Sequence, residues 1–159
     1  MSTKPFYRDT WAEIDLSAIK ENVSNMKKHI GEHVHLMAVV KANAYGHGDA
    51  ETAKAALDAG ASCLAVAILD EAISLRKKGL KAPILVLGAV PPEYVAIAAE
   101  YDVTLTGYSV EWLQEAARHT KKGSLHFHLK VDTGMNRLGV KTEEEVQNVM
   151  VPFLTATLV

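Results

Sequence analysis

The sequence has one cysteine and no long hydrophobic run, and each shortage excludes a class of protein. Only Cys63 is a cysteine among 159 residues, so no internal disulfide forms and a reduced, buried thiol is expected. No apolar stretch approaches the roughly 20 residues of a membrane helix, and residues 1–10 lack the apolar core of a secretory signal. The net charge of −2 offers no basic surface to nucleic acid. We therefore expect a cytoplasmic globular protein with neither a membrane nor a nucleic acid as partner.

Hydrophobic residues make up 48% of the chain and fall into an alternation of short strands and helices. Apolar runs near residues 37, 65, 85, 105 and 128 predict strands, and a helical pattern separates each pair. This alternation is typical of an α/β fold with parallel strands. An open doubly wound sheet fits it, and so does a partial (β/α)8 TIM barrel with about five of the eight βα units, since a full barrel needs about 250 residues.

The beginning of the chain is out of step with this repeat. Residues 11–16 predict a short strand-like piece, and Ser17 would then cap the first helix. We therefore treat residues 1–16 as an N-terminal strand segment that belongs to another sheet.

The end of the chain also departs from the repeat. A helix is predicted to begin at Thr142, and Pro152 is expected to interrupt it. Residues 17–150 would then form the partial barrel domain, and residues 151–159 an atypical, apolar and uncharged tail. Such a tail is what a frameshift or a premature stop would produce, and the DNA downstream in all three frames would test that origin.

Lys41 ends the predicted strand 35–41 and precedes a segment rich in small residues and glycine. A charged lysine in such a place is costly unless it is paired, and the uncharged amine is the form that attacks a carbonyl. Glycines let the backbone approach a bound group closely, and Tyr45 and His47 add polar groups. Alternatively, Lys41 extends to solvent, Tyr45 packs as an ordinary aromatic, and His47 only orders the loop.

A second polar cluster follows the fifth predicted strand. Alternation places His126, His128, Lys130 and Asp132 on one face, which suits the lining of a barrel or its mouth. Arg137 lies beyond the strand end, where ligands bind in α/β folds, and its guanidinium suits a carboxylate. Arg137 could instead form a surface ion pair, and Lys130 with Asp132 a structural pair. No third ligand follows the two histidines by spacing, so no metal site is predicted.

Two segments resemble the motifs of one enzyme family. The run VVKANAYGHG at 39–48 looks like the pyridoxal-phosphate (PLP) attachment motif of bacterial alanine racemases. The run KVDTGMNRLG at 130–139 is similar to the segment after that family's fifth barrel strand. The resemblance extends from about residue 8 to 150. It implies a fold-type III PLP enzyme, a (β/α)8 barrel with a C-terminal β domain, that interconverts L-alanine and D-alanine for cell-wall peptidoglycan.

The resemblance also implies roles for four residues. Lys41 would bind PLP covalently and act as the base on the α-proton of D-alanine, and Tyr45 would contact the cofactor phosphate. Arg137 would lie near the cofactor O3′ and the substrate carboxylate, while Lys130 matches a lysine that is carbamylated in several members. The family is homodimeric. Its chains continue well past residue 159 into the remaining barrel strands, most of the phosphate-binding cup and the tyrosine base that works from the partner subunit.

Other functions stay open beside the racemase. The chain could be a non-catalytic fragment that misfolds, binds PLP weakly or complements another chain, because these motifs supply only one of the two bases. It could also be another fold-type III enzyme, such as a broad-specificity racemase or a decarboxylase, although residues 42–48 argue against the decarboxylase. We expect the chain alone to be poorly soluble and nearly inactive, because five barrel units leave open strand edges.

Overall fold

The computed structural model describes residue 7, residues 9–120 and residues 125–156, with residues 150–156 described by their backbone only. Five short strands alternate with helices along the chain. The strands are β1 (Met37–Val39), β2 (Cys63–Val66), β3 (Ile84–Val86), β4 (Leu105–Gly107) and β5 (Phe127–Leu129). The helices are α1 (Leu16–Ile30), α2 (Lys41–Tyr45), α3 (Asp49–Asp58), α4 (Leu69–Lys77), α5 (Val95–Glu100), α6 (Val110–His119) and α7 (Glu143–Ala156), and a 3-10 turn at Pro92–Tyr94 precedes α5.

All five strands run parallel and neighbour one another in sequence order. β2 pairs with β1 and with β3, and β4 pairs with β5. A bridge between Leu85 and Thr104 joins the two groups, with the Thr104 N–H donating to Ile84 and the Val86 N–H donating to Thr104, both at 2.9 Å. An open doubly wound sheet reverses its strand order at a switch point, and this order does not reverse. The fold is therefore a partial (β/α)8 barrel, and the five predicted strands are confirmed.

The two faces of the sheet differ in burial. On the face toward the helices, side chains such as Leu64, Ile84 and Leu105 are at most 1% exposed and belong to one hydrophobic core. On the opposite face Val39 is 40% exposed, and His128, opposite Thr106 in the register, is also exposed. The helices thus cover one face, while the face that would line a closed barrel stays partly open. Within the described residues, no helix is long and apolar enough to cross a membrane.

The strand predicted at residues 11–16 is wrong. Residues 10–15 have no regular secondary structure, and Leu16 is the first residue of α1. The helix is capped by Asp15 rather than Ser17, because the Asp15 carboxylate accepts from the backbone N–H of Ser17 at 2.8 Å and of Ala18 at 3.2 Å. A carboxylate serves both as acceptor and as a negative charge at the positive helix end. Residues 1–6 and 8 of the predicted segment lie outside the described residues.

The expected interruption at Pro152 is also wrong, since α7 continues to Ala156. The helix therefore runs through Pro152 despite the one backbone donor that proline lacks. The predicted start at Thr142 is confirmed: its hydroxyl accepts from the Glu145 N–H, and the Glu145 carboxylate accepts from the Thr142 N–H, both at 3.2 Å. This reciprocal capping box satisfies two of the donors at the helix start. Residues 157–159 of the predicted tail lie outside the described residues.

Candidate active site

The two sequence motifs follow β1 and β5, and parallel pairing places them at the same edge of the sheet. Lys41 lies two residues beyond the end of β1, and Arg137 lies in the segment beyond β5. Because every strand pair is parallel, the carboxyl ends of all five strands share that edge. This is the edge at which (β/α)8 enzymes build their sites.

The segment after Lys41 has a left-handed backbone. Four consecutive residues without a glycine, Ala42 to Tyr45, have φ values of 51°, 55°, 52° and 56°. Each such residue costs about 1–2 kcal/mol relative to the right-handed conformation. Strained backbone of this kind persists only where surrounding contacts impose it, and it clusters at functional sites. The strand therefore ends at Val39, and Lys41 starts a left-handed turn instead of closing the strand as predicted.

Hydrogen bonds within the segment support this turn. The Ala44 N–H donates to the Val40 carbonyl at 3.0 Å, and the Gly48 N–H donates to the Asn43 carbonyl at 3.0 Å. His47 Nδ1 lies 2.8 Å from the Ala44 carbonyl, which can only accept, so His47 donates and orders the loop. Ala44 is 3% exposed and anchors the turn in the core.

One contact to the turn comes from a distant part of the chain and was missed by the sequence analysis. Oε1 of Glu71, in the first turn of α4, accepts from the Ala42 N–H at 2.7 Å. Its Oε2 accepts from the backbone N–H groups of Ala67 at 2.7 Å and Ile68 at 3.3 Å. An acidic residue three positions after a helix cap signals a capping contact, but nothing in the sequence signals the reach to Ala42.

The two predicted cofactor residues are open to a ligand. Lys41 is half-buried, and no described residue forms a hydrogen bond or ion pair with its amine. Tyr45 is 61% exposed, so the interpretation of Tyr45 as a packed aromatic is wrong. A partly shielded amine and an exposed phenol four residues later in the chain are groups that could bind an aldehyde and a phosphate.

Asp132 shapes the loop that leads to Arg137. Its Oδ1 accepts from the backbone N–H groups of Gly134 and Asn136, both at 3.0 Å, and these bonds lower the pKa of the Asp132 carboxyl. The Asp132 side chain is 2% exposed, and its Oδ2 lies 3.8 Å from the Lys141 amine. The cationic neighbour of Asp132 is therefore Lys141, and the alternative of a structural pair with Lys130 is wrong.

Gly139 closes the same loop at its base. The Asp132 N–H donates to the Val140 carbonyl at 2.8 Å, and the Val140 N–H donates to the Lys130 carbonyl at 3.0 Å. A Cβ on Gly139 would lie 2.8 Å from both the Lys130 carbonyl oxygen and the Asp132 nitrogen, and its φ is +120°. Only glycine fits this position, which explains the glycine two residues after Arg137.

The polar residues in and around β5 are not joined into one cluster. His126, His128 and Arg137 are exposed and Lys130 is half-buried. In the described part of the chain no hydrogen bond or ion pair links Lys130 to Arg137 or to Lys41. The described residues also contain no group of three or more histidine, cysteine or carboxylate side chains placed to hold a metal ion.

These features define a class: an incomplete (β/α)8 barrel with a lysine amine and an arginine at the carboxyl edge of its strands. Comparison with known proteins identifies the family. The family model described as "Alanine racemase, N-terminal domain" matches residues 14–154. The chain belongs to the alanine racemase family, as the resemblance of its two motifs implied.

The relatives are close and considerably longer than this chain. Alanine racemase of Geobacillus kaustophilus is 59% identical over 145 residues, which are 91% of this chain and 38% of that protein. The crystal structure of alanine racemase from Bacillus anthracis with bound L-Ala-P superposes with a TM-score of 0.89 at 47% identity, over 96% of this chain and 40% of the other. Histidine racemase from Leuconostoc mesenteroides gives a TM-score of 0.81 at 37% identity, over 88% and 38%. The chain thus spans about 40% of the length of these relatives.

Proposed function

We propose that this chain is the PLP-binding part of an amino-acid racemase that interconverts L-alanine and D-alanine. The observation that carries the proposal is the half-buried Lys41 amine, free of partners among the described residues, on a left-handed turn at the carboxyl edge of the strands. D-alanine for peptidoglycan is the product we propose, and the bacterial cytoplasm its place of synthesis.

The residues at this edge fit PLP by their chemistry. Lys41 supplies an amine for the cofactor aldehyde, and the exposed phenol of Tyr45 supplies an O–H donor for its phosphate. When bound, PLP withdraws electrons from the substrate Cα and so makes its proton acidic. The remaining cofactor contacts of the family are expected in the parts of the relatives that this chain does not match.

Lys41 and Arg137 would then have separate roles in the reaction. The Lys41 amine would accept the α-proton on one face of the substrate, and the Arg137 guanidinium would hold the substrate carboxylate through two parallel N–H donors. Racemisation also needs a base on the opposite face. That base is the tyrosine that the family resemblance assigns to the partner subunit of a homodimer.

The names of the relatives support alanine as the substrate. The Bacillus anthracis structure is described with bound L-Ala-P, and the Geobacillus kaustophilus relative is named alanine racemase. The Leuconostoc mesenteroides structure is named histidine racemase at 37% identity, so a racemase of another amino acid is the competing substrate assignment.

The proposal is tested by adding PLP to the purified chain and recording the visible absorbance of the bound cofactor before and after borohydride reduction. The wild type should show a visible band that reduction removes. Lys41→Ala should show no such band, whereas Lys54→Ala, which removes an exposed lysine on α3, should behave as the wild type does. An unchanged band in Lys41→Ala would disprove the proposed role.

A second candidate function is complementation of another chain. It is favoured by the open inner face, where Val39 is 40% exposed and a cavity of about 310 Å³ is lined in part by Met37, Cys63 and His128. Burial raises the pKa of the Cys63 thiol, so it stays protonated there. Further strands supplied by that chain could pair with the edges of β1 and β5 and close the barrel over this face.

Activity assays separate the two functions. We predict that D-alanine formation from L-alanine by the chain alone stays far below the typical enzymatic kcat of about 1–10³ s⁻¹. Adding a polypeptide with the unmatched remainder of the Geobacillus kaustophilus relative should restore turnover if the chain complements another. A chain that reaches enzymatic rates unaided would contradict the prediction.

A further inference from the structure

We propose that Glu71 is a positioning residue that holds the left-handed turn of Lys41 in the geometry needed for its amine to react. The inference rests on the proposed function of Lys41 as the PLP-binding lysine. Its physical basis is that the two oxygens of the Glu71 carboxylate accept hydrogen bonds from two different segments of the chain.

The Ala42 N–H has special need of an external acceptor. The first N–H groups of a helical turn have no preceding turn to supply a carbonyl. Ala42 follows Lys41 directly and is the first residue of the left-handed segment, so its N–H direction fixes the plane of the peptide that joins it to Lys41. Glu71 Oε1 accepts from this N–H at 2.7 Å.

The other oxygen ties the turn to a rigid part of the fold. Oε2 accepts from Ala67 and Ile68, which connect the buried strand β2 to α4. Val66 at the end of β2 is fully buried, and Ala72, next to Glu71, is also fully buried. The carboxylate therefore fixes the strained turn to a buried junction between β2 and α4, and a charged acceptor makes both sets of bonds stronger than a neutral one would.

An ordinary capping role must be separated from this positioning role. The contact to Ile68 is the usual return bond of an acidic residue to a helix cap, and Ile68 has no side-chain oxygen of its own. Asp70 provides a matched control. It lies beside Glu71 in the same first turn and is exposed, and its carboxylate forms no hydrogen bond or ion pair with any described residue.

The test follows two readouts in the full 159-residue chain. The first is the rate at which PLP and borohydride modify Lys41, by peptide mapping, with the exposed Lys54 as internal reference. The second is amide hydrogen exchange in a peptide spanning 40–48. In Glu71→Ala we expect Lys41 modification to fall at least fivefold relative to Lys54, and exchange of the turn to accelerate at least tenfold. Asp70→Ala should change neither.

A double variant decides between positioning and capping. Ile68→Thr with Glu71→Ala restores a side-chain cap for α4 without restoring an acceptor for Ala42. If Glu71 positions the turn, the thermal stability of the double variant recovers, while Lys41 modification and the hydrogen exchange of residues 40–48 stay impaired. Recovery of these two readouts would overturn the inference. Wild-type Lys41 that takes up no PLP would refute the proposed function instead. In that case, unchanged hydrogen exchange in Glu71→Ala would refute the positioning role independently.

Discussion

Replacing Ala42 by glycine should stabilise this protein, although glycine normally weakens helical segments. Ala42 has φ 51° and ψ 50°, and its side chain is exposed, so the methyl group contributes strain and little packing. Relief of left-handed strain is worth about 1–2 kcal/mol, and the extra backbone entropy of glycine in the unfolded chain costs about 0.5–1 kcal/mol. The net expectation is a stabilisation of about 0–1.5 kcal/mol, with a midpoint of about 0.75 kcal/mol.

The control for this prediction is an exposed alanine in a right-handed helix. Ala117 lies in α6, and Ala117→Gly should destabilise the fold by about 0.5–1 kcal/mol. Urea unfolding at low micromolar concentration, followed by the fluorescence of the buried Trp112, measures both changes. If Ala42→Gly destabilises the protein as much as Ala117→Gly does, the left-handed turn and the strain argument are wrong.

Two further predictions concern charged side chains that hold backbone groups. The Arg76 guanidinium donates to four backbone carbonyls at 2.7–2.9 Å, so Arg76→Ala should lower the free energy of unfolding in urea by about 3 kcal/mol. Arg118 is exposed, and Arg118→Ala should lower it by well under about 1 kcal/mol. Equal losses in the two variants would contradict this prediction. The lowered pKa of Asp132 means that its carboxylate stabilises the fold above the unfolded pKa of about 3.9 and loses that contribution as pH falls through the lower folded pKa. The stability advantage of wild type over Asp132→Asn should therefore be constant from pH 7 to about 5 and shrink at lower pH, and an advantage that grows on acidification would show the sign to be wrong.

The strands were predictable from sequence because the apolar runs are too short for helices and recur regularly between longer helical patterns. The sequential strand order was not decided by these runs, since a doubly wound sheet has the same alternation, and the bridge between Leu85 and Thr104 supplies the missing information. The residues that cap the helices were harder to predict. Ser17 and Asp15 both suit a cap by residue type, and the difference of two positions depends on where the preceding backbone enters the helix.

The sequence singles out candidate site residues but not their geometry. Lys41 and Arg137 stand out by residue type and by their positions after strands. The left-handed turn could not be inferred, because only Asn43 among its four residues is of a type that favours positive φ, and alanine and tyrosine disfavour it. Its conformation depends on Glu71, 29 positions after Ala42 in the chain, and a contact of that range leaves no mark in the local pattern.

Peptide mapping tests most directly whether Lys41 is the residue that binds PLP. The folded chain is mixed with one equivalent of PLP, reduced with borohydride and digested, and the modified lysines are located by mass spectrometry. We expect the cofactor predominantly on Lys41. Modification concentrated on Lys130, or spread evenly over exposed lysines such as Lys54, would contradict it.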